Sequence, residues 1–199
     1  MDLFINGTKT DITLENEKTI GDVLRSFELT CEQNDAAVIG IKVDDKKVDA
    51  DSFDSYINKT LTEKTKFEFD VITKQVVRET FKKLSEIFNT LSVRMEQVPA
   101  DIQSGNGKSA CKSITQLADN IDLFCHTAAL SSLFPETYKS ILIDNKPFTD
   151  FFAGFTPVLS QLENALKAND TVLVGDLSEY EICPRLKAVS KALEVFNDI

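Results

Sequence analysis

The stretch Lys66-Phe67-Glu68-Phe69-Asp70-Val71-Ile72-Thr73-Lys74-Gln75-Val76-Val77-Arg78-Glu79-Thr80-Phe81-Lys82-Lys83-Leu84-Ser85-Glu86-Ile87-Phe88 changes its hydrophobic period part-way. Up to Thr73, Phe67, Phe69 and Val71 alternate with Glu68, Asp70 and Ile72, the period of a strand with one buried face. From Val77 the apolar residues Val77, Phe81, Leu84, Phe88, Leu91, Met95 and Val98 advance by alternating steps of 4 and 3, the period of an amphipathic helix. A change of period marks a change of structure, so the chain divides here. The expectation is an α+β protein with a β-rich domain at 1–73 and a helical domain at 74–199.

Working back from that strand, Leu3 and Ile5 alternate with polar neighbours and lead into Asn6-Gly7, a pair suited to a tight hairpin turn. Ile12 and Leu14 continue the alternation on the return strand. Ile20, Val23, Leu24 and Phe27 lie on one helical face, and Thr19 with Asp22 is suited to capping that helix. Residues 37–43 read as a third strand, closed by the polar turn Asp44-Asp45-Lys46-Lys47, with Val48 in a short fourth strand. Phe53, Tyr56 and Ile57 belong to a short irregular or helical link, and the strand at Phe67 completes the order β-β-α-β-β-β.

Forward of the division, Pro99 is expected to end the first long helix. After a polar loop, Ala110, Ile114, Leu117, Ile121, Phe124 and Ala128 form the stripe of a second helix capped by Ser109. Cys111, Ala118 and Cys125 lie one position later, on an adjacent edge. This helix is expected to reach Phe134, where Pro135 stops it, with a short helical piece from Tyr138 to Leu142 following. Asp144 or Asn145 would cap a third long helix with the stripe Phe148, Phe152, Phe155, Leu159, Leu162 and Leu166, bent at Gly154 and Pro157. A fourth begins after Asn169-Asp170 and is expected to break or kink near Glu181 to Pro184, because a proline removes a helix hydrogen bond and crowds the preceding turn. Four such helices read as a four-helix bundle.

The stretches LFINGTKTDITL, KTIGDVLRSFEL, VIGIKVDDKKV and LTEKTKFEFDVI together resemble the ubiquitin-like β-grasp. Among its members they are most similar to the small sulfur carriers of thiamine and molybdopterin synthesis. The resemblance covers residues 1–73 and implies a sheet grasping one helix. The carriers act through a free C-terminal Gly-Gly, whereas Thr73-Lys74-Gln75 here runs on into a helix, so the resemblance implies the fold and none of the carrier chemistry. Residues 175–184 are similar to segments of bacterial helical proteins, which implies no activity.

Composition narrows the functional classes. Across 199 residues there are 22 basic and 32 acidic side chains, a formal charge of −10. Nucleic-acid binding is disfavoured, because phosphates require a basic face. Hydrophobic residues make up 42% of the chain, which argues against disorder. No apolar run approaches the roughly 20 residues of a membrane-spanning helix, so no membrane insertion is expected. One histidine, His126, rules out a histidine metal cage, and the Glu-x-x-His signature of di-iron bundles is absent. Gly107-Lys108-Ser109 imitates the tail of a phosphate-binding loop, but Ile102 stands where that motif needs glycine, and a helix precedes it instead of a strand. No catalytic, metal or cofactor residues are therefore assigned.

The opening MDLFINGTKTD lacks the basic start and apolar segment of a secretory signal, and the four cysteines form no CxxC pair, so a cytoplasmic location is expected. The leading expectation is a non-enzymatic protein-binding or adaptor protein whose partner is another protein, a basic one by charge, or a second copy of itself. The alternatives are a small acidic chaperone for a secreted or filament-forming subunit, and an enzyme with a carboxylate-based site near Tyr180 and Glu181. Candidate partner-binding residues fall in three groups. Asp44, Asp45, Asp49 and Asp51 concentrate acid in the β domain, which has 16 acidic and 9 basic residues. Phe151, Phe155 and Val158 widen the apolar stripe of the third helix. Tyr180 and Glu181 stand where the fourth helix must break.

Overall fold

The computed structural model describes residues 1–11 and 16–197, so the expected return-strand residues Ile12 and Leu14 lie outside the described residues. The protein is a mixed α+β chain that divides into two compact units, residues 1–76 and 77–199.

In the first unit, β1 (Asp2–Ile5), β2 (Thr8–Thr10), α1 (Ile20–Gln33), β3 (Ala36–Val43), β4 (Lys46–Lys47), α2 (Ala50–Ile57) and β5 (Lys66–Thr73) build a five-stranded sheet of order β2-β1-β5-β3-β4. β1 and β5 are parallel, and the other pairs are antiparallel. Leu3, Ile20, Val23, Leu24, Val43, Val48, Phe67 and Phe69 form its core, with Phe27 of α1 stacked on Phe69 at 3.9 Å between ring centroids. The alternation of β5 therefore does what it implied: Phe67 and Phe69 are buried while Asp70 is exposed. Each such ring contributes roughly 2–3 kcal/mol of apolar burial. Thr19 and Asp22 make a reciprocal capping box at the start of α1.

In the second unit, α3 (Lys74–Gln103) passes straight through Pro99 instead of ending there. Met95 and Val98 beside it are fully buried, and this packing offsets the roughly 3 kcal/mol that an internal proline costs. α4 (Gly107–Ser131) follows, with Asn106 at its N-cap in place of the expected Ser109. Pro135 then opens a short helix, α5 (Pro135–Lys139), since its missing N–H is harmless in a first turn.

The largest departure follows. Asp144 and Asn145 do not cap a helix. Both have positive φ, 51° and 61°, and form the turn of a two-stranded ribbon, β6 (Leu142–Ile143) and β7 (Lys146–Pro147). Asn6-Gly7 and Asp44-Asp45 have the same left-handed pair of φ values in their own hairpins. Asn and Asp tolerate that region better than other side chains do. After the ribbon, α6 (Phe148–Lys167) runs through Pro157.

The last segment is interrupted near Glu181 to Pro184, by a change of helix type and not by a loop. α7 (Thr171–Asp176) passes into a π-helical stretch, Leu177–Ile182, and then α8 (Cys183–Leu193) and a final turn, Glu194–Phe196. The wider π turn absorbs the proline, with the Cys183 N–H donating to the Ser178 carbonyl. With its ribbon, short helix and π segment, this unit is more divided than four plain helices joined by loops. Phe124 sits at its centre, in ring contact with Phe81 and Phe88 of α3 and Phe148 and Phe152 of α6. No helix among the described residues is long and apolar enough to cross a membrane.

Candidate functional site

The acidic residues singled out in the β-rich unit serve first as turn and cap residues. Asp44 accepts a hydrogen bond from the Lys66 N–H at 2.9 Å, and Asp45 pairs with the Lys66 ammonium at 2.8 Å. Lys66 also holds Glu68, which in turn pairs with Lys42. Lys66 and then Lys42 hold the Glu68 carboxyl below its ordinary range, and Asp45 and then Glu68 raise the Lys66 ammonium above its own. Asp49 caps α2 by accepting from the Ser52 N–H and hydroxyl, which lowers its pKa, and Asp51 lies in the first turn of that helix. The local geometry thus accounts for these acids, all of which remain at the surface.

The Phe-rich face of α6 is corrected by burial. Phe155 is 0% exposed and Val158 8%, so both belong to the interior of the helical unit and offer nothing to a partner. Phe151 is half-buried, in edge-on contact with Phe152 and Phe155. The stripe is wide because α6 packs several rings around Phe124, which uses apolar area that otherwise could have faced outward.

Tyr180 stands in solvent at 65% exposure, and the neighbouring Glu179 charge raises its phenol pKa. The Glu181 carboxylate is held by Arg185 at 2.6 Å, and the same guanidinium donates to the Glu181 carbonyl.

The helical unit carries a feature that those three groups did not indicate. An open groove lies between α4 and α6, in two adjoining parts of about 460 and 320 Å³. Ile114, Leu117, Ala118, Ile121 and Cys125 of α4 face Leu159, Leu162 and Leu166 of α6 across the larger part. The smaller part shares Ile114 and Leu166, and adds Ile102, Gly107, Cys111 and Val174. The charged lining residues, Asp122 and Glu163, are both at the larger part. Lys167 pairs with Glu163 at 2.5 Å and lowers its pKa. The sequence did carry a signal for this groove. Cys111, Ala118 and Cys125 form an edge beside the core stripe of α4, and all three are exposed.

The β-rich unit has its own cavity of about 720 Å³ beneath α1, lined by Leu24, Arg25, Val38, Ile41, Phe53 and Phe69 among others. Its surroundings mix both charges with apolar side chains. Among the described residues no three His, Cys, Asp or Glu side chains come together as a metal cluster. Cys31 and Cys183 are buried, and burial raises the pKa of each thiol. Gly107-Lys108-Ser109 opens α4 after a helix, not after a strand.

Comparison with known proteins follows the same division of the chain. Residues 1–73 match the family described as TP0873 N-terminal domain. An uncharacterized protein of Treponema pallidum (strain Nichols) is 24% identical over 193 residues, covering 97% of this chain and 96% of that protein. No solved structure matches. Residues 79–192, more than half of the chain, match the family described as Domain of unknown function (DUF8042), and the protein belongs to that family.

Proposed function

We propose that the protein is a non-enzymatic protein-binding or adaptor module, with the α4/α6 groove as its docking surface. The groove is the observation that carries this reading. A lining of Ile, Leu, Ala and Cys with two acids at one part can desolvate an apolar partner surface. It offers no set of nucleophile, base and oxyanion donors for chemistry. The charge of −10 favours a basic protein partner over nucleic acid. A cytoplasmic setting, in which Cys111 and Cys125 stay reduced, goes with this reading.

The β-rich unit fits a ubiquitin-like β-grasp in its strand order, its parallel β1/β5 pair and the helix packed on its sheet. In this reading it is a second, independent recognition domain, an argument from fold alone. A small acidic chaperone is the second reading, since the same apolar groove could shelter an aggregation-prone segment of a client.

The test is site-specific photocrosslinking in cells. A photoreactive residue at Cys125 in the groove is expected to give one discrete protein adduct. The same residue at the exposed Glu86 of α3 is expected to give none. The adduct from position 125 should disappear when Ala118→Trp fills the groove. An adduct that survives Ala118→Trp, or equal labelling from both positions, would count against the groove. Solubilisation of an aggregating client that is lost in the same variant would favour the chaperone.

A further inference from the structure

We infer that the occupant of the α4/α6 groove is an amphipathic α-helix, about five turns long, with basic residues on its flanks. This inference rests on the protein-binding reading above and names the kind of partner. Three observations lead to it.

The first is spacing. Gly107, Cys111, Ile114, Ala118, Ile121 and Cys125 line the groove floor at steps of 4, 3, 4, 3 and 4. That is the spacing of a helix whose heptad positions face another helix, and it adds the exposed edge Cys111, Ala118 and Cys125 to a buried stripe of which Ala110 and Leu117 also line the groove. Eighteen residues of rise give a seam of ~27 Å, about five turns.

The second is the chemistry of the walls. Along the larger part both are α-helices, so apart from the first turn of α4 and the last turn of α6 their backbone N–H and C=O groups are already bonded within each helix. An extended peptide laid between them would find almost no backbone partners and would bury its own polar groups unsatisfied. A helix brings its backbone hydrogen bonds with it and buries only side chains.

The third is charge. Asp122 and Glu163 line the larger part of the groove, Glu163 with Lys167 beside it and Asp122 with no cation among the lining residues of either part. Lysine or arginine flanking the apolar face of the partner would meet these acids. A second copy of this chain presenting the same seam brings no cation to it, so a heterologous partner fits better.

The experiment measures binding of blocked 18-residue peptides to the full chain by fluorescence anisotropy, at low and at moderate salt. The probe carries leucine at heptad positions and lysine on the flanks. One control replaces a central residue by proline, and another replaces every lysine by glutamate. Each control is expected to bind at least tenfold more weakly than the probe. Asp122→Lys should reduce the preference for the lysine peptide at least threefold. Ala118→Trp and, separately, Leu166→Glu, both at exposed positions, should weaken the probe at least tenfold with unchanged circular dichroism.

Equal binding of the proline peptide would overturn the helix. Equal binding of the glutamate peptide would overturn the basic flanks. Failure of the probe to bind, or binding unaffected by both groove variants, would overturn the inference. So would a crosslink from position 125 to a second copy of this chain. The two levels separate cleanly: if no peptide binds but the position-125 adduct forms and Ala118→Trp removes it, the groove stands and only its helical occupant falls.

Discussion

Ser85 of α3 and Ser190 of α8 exchange hydrogen bonds in both directions: each hydroxyl donates to the other's backbone carbonyl at 2.8 Å. Both residues are buried, and the two bonds tie together helices 105 positions apart in the chain. A hydroxyl is small enough to let the helices approach and supplies the polar link once they do. Ser85→Ala is expected to destabilise the protein by about 1 kcal/mol, the net worth of one such bond. Ser85→Leu should cost about 1–3 kcal/mol by overfilling the contact. Urea denaturation of the two variants checks this, and a leucine variant as stable as the alanine one would contradict the close approach.

Two glycines permit close packing to very different degrees. A Cβ on Gly21 would lie 2.7 Å from the Ile57 carbonyl oxygen, a backbone atom that cannot swing away. A Cβ on Gly175 would lie 3.4 Å from Pro99, an ordinary contact. Gly21→Ala should therefore destabilise by about 1–3 kcal/mol. Gly175→Ala should be neutral or stabilising by up to ~1 kcal/mol, because alanine favours helix. Thermal melts of both variants test the ranking, and a more damaging Gly175→Ala would reverse the argument.

The β6/β7 turn holds Asn145 at a φ of 61°, a region that glycine occupies freely and branched side chains resist. Asn145→Gly is expected to leave stability within about 0.5 kcal/mol of wild type. Asn145→Val should lower it by roughly 1–2 kcal/mol. Chemical denaturation of the pair checks the positive φ, and a valine variant as stable as the glycine one would contradict it.

Acid should weaken the β-rich unit. Asp22, Asp49 and Glu68 all have pKa values below their ordinary ones, held down mainly by capping N–H and hydroxyl donors in the aspartates and by Lys66 in Glu68. A carboxylate with a lowered folded pKa stabilises fully above its unfolded pKa and loses that contribution as the pH falls through the folded one. The loss should therefore begin below about pH 4, where unpaired carboxylates take up protons. Amide exchange or circular dichroism between neutral and acid pH follows it. Asp22→Asn should flatten the acid limb, and an unchanged limb in that variant would remove Asp22 from the account.

Much of the local structure is legible in residues close together in the chain. The periodicity of Phe67 and Phe69, and of Val77 to Val98, identified β5 and α3 because burial of one face imposes a period. Thr19 and Asp22 announced their helix because a cap involves neighbours three residues apart. Pro99 misled, while Pro184 follows an interruption of the α-helix by a π turn: a proline carries a local penalty, and whether a helix ends there depends on packing partners elsewhere in the chain, such as Gly175 against Pro99. Asp144-Asn145 suits a helix cap or a left-handed hairpin turn equally well, and the short pairing of Ile143 with Lys146 decides between them.

The sequence by itself determined the change from strand to helix near Thr73, the concentration of acid in the first unit, and the stripes along α4 and α6. Only the tertiary structure decided which side of each stripe is covered. Phe155 and Val158 turned inward, while Ala118, Cys125 and Leu166 were left facing a groove. The physical reason is that periodicity records which residues share a face. Whether that face meets a neighbour or solvent depends on how helices distant in sequence pack.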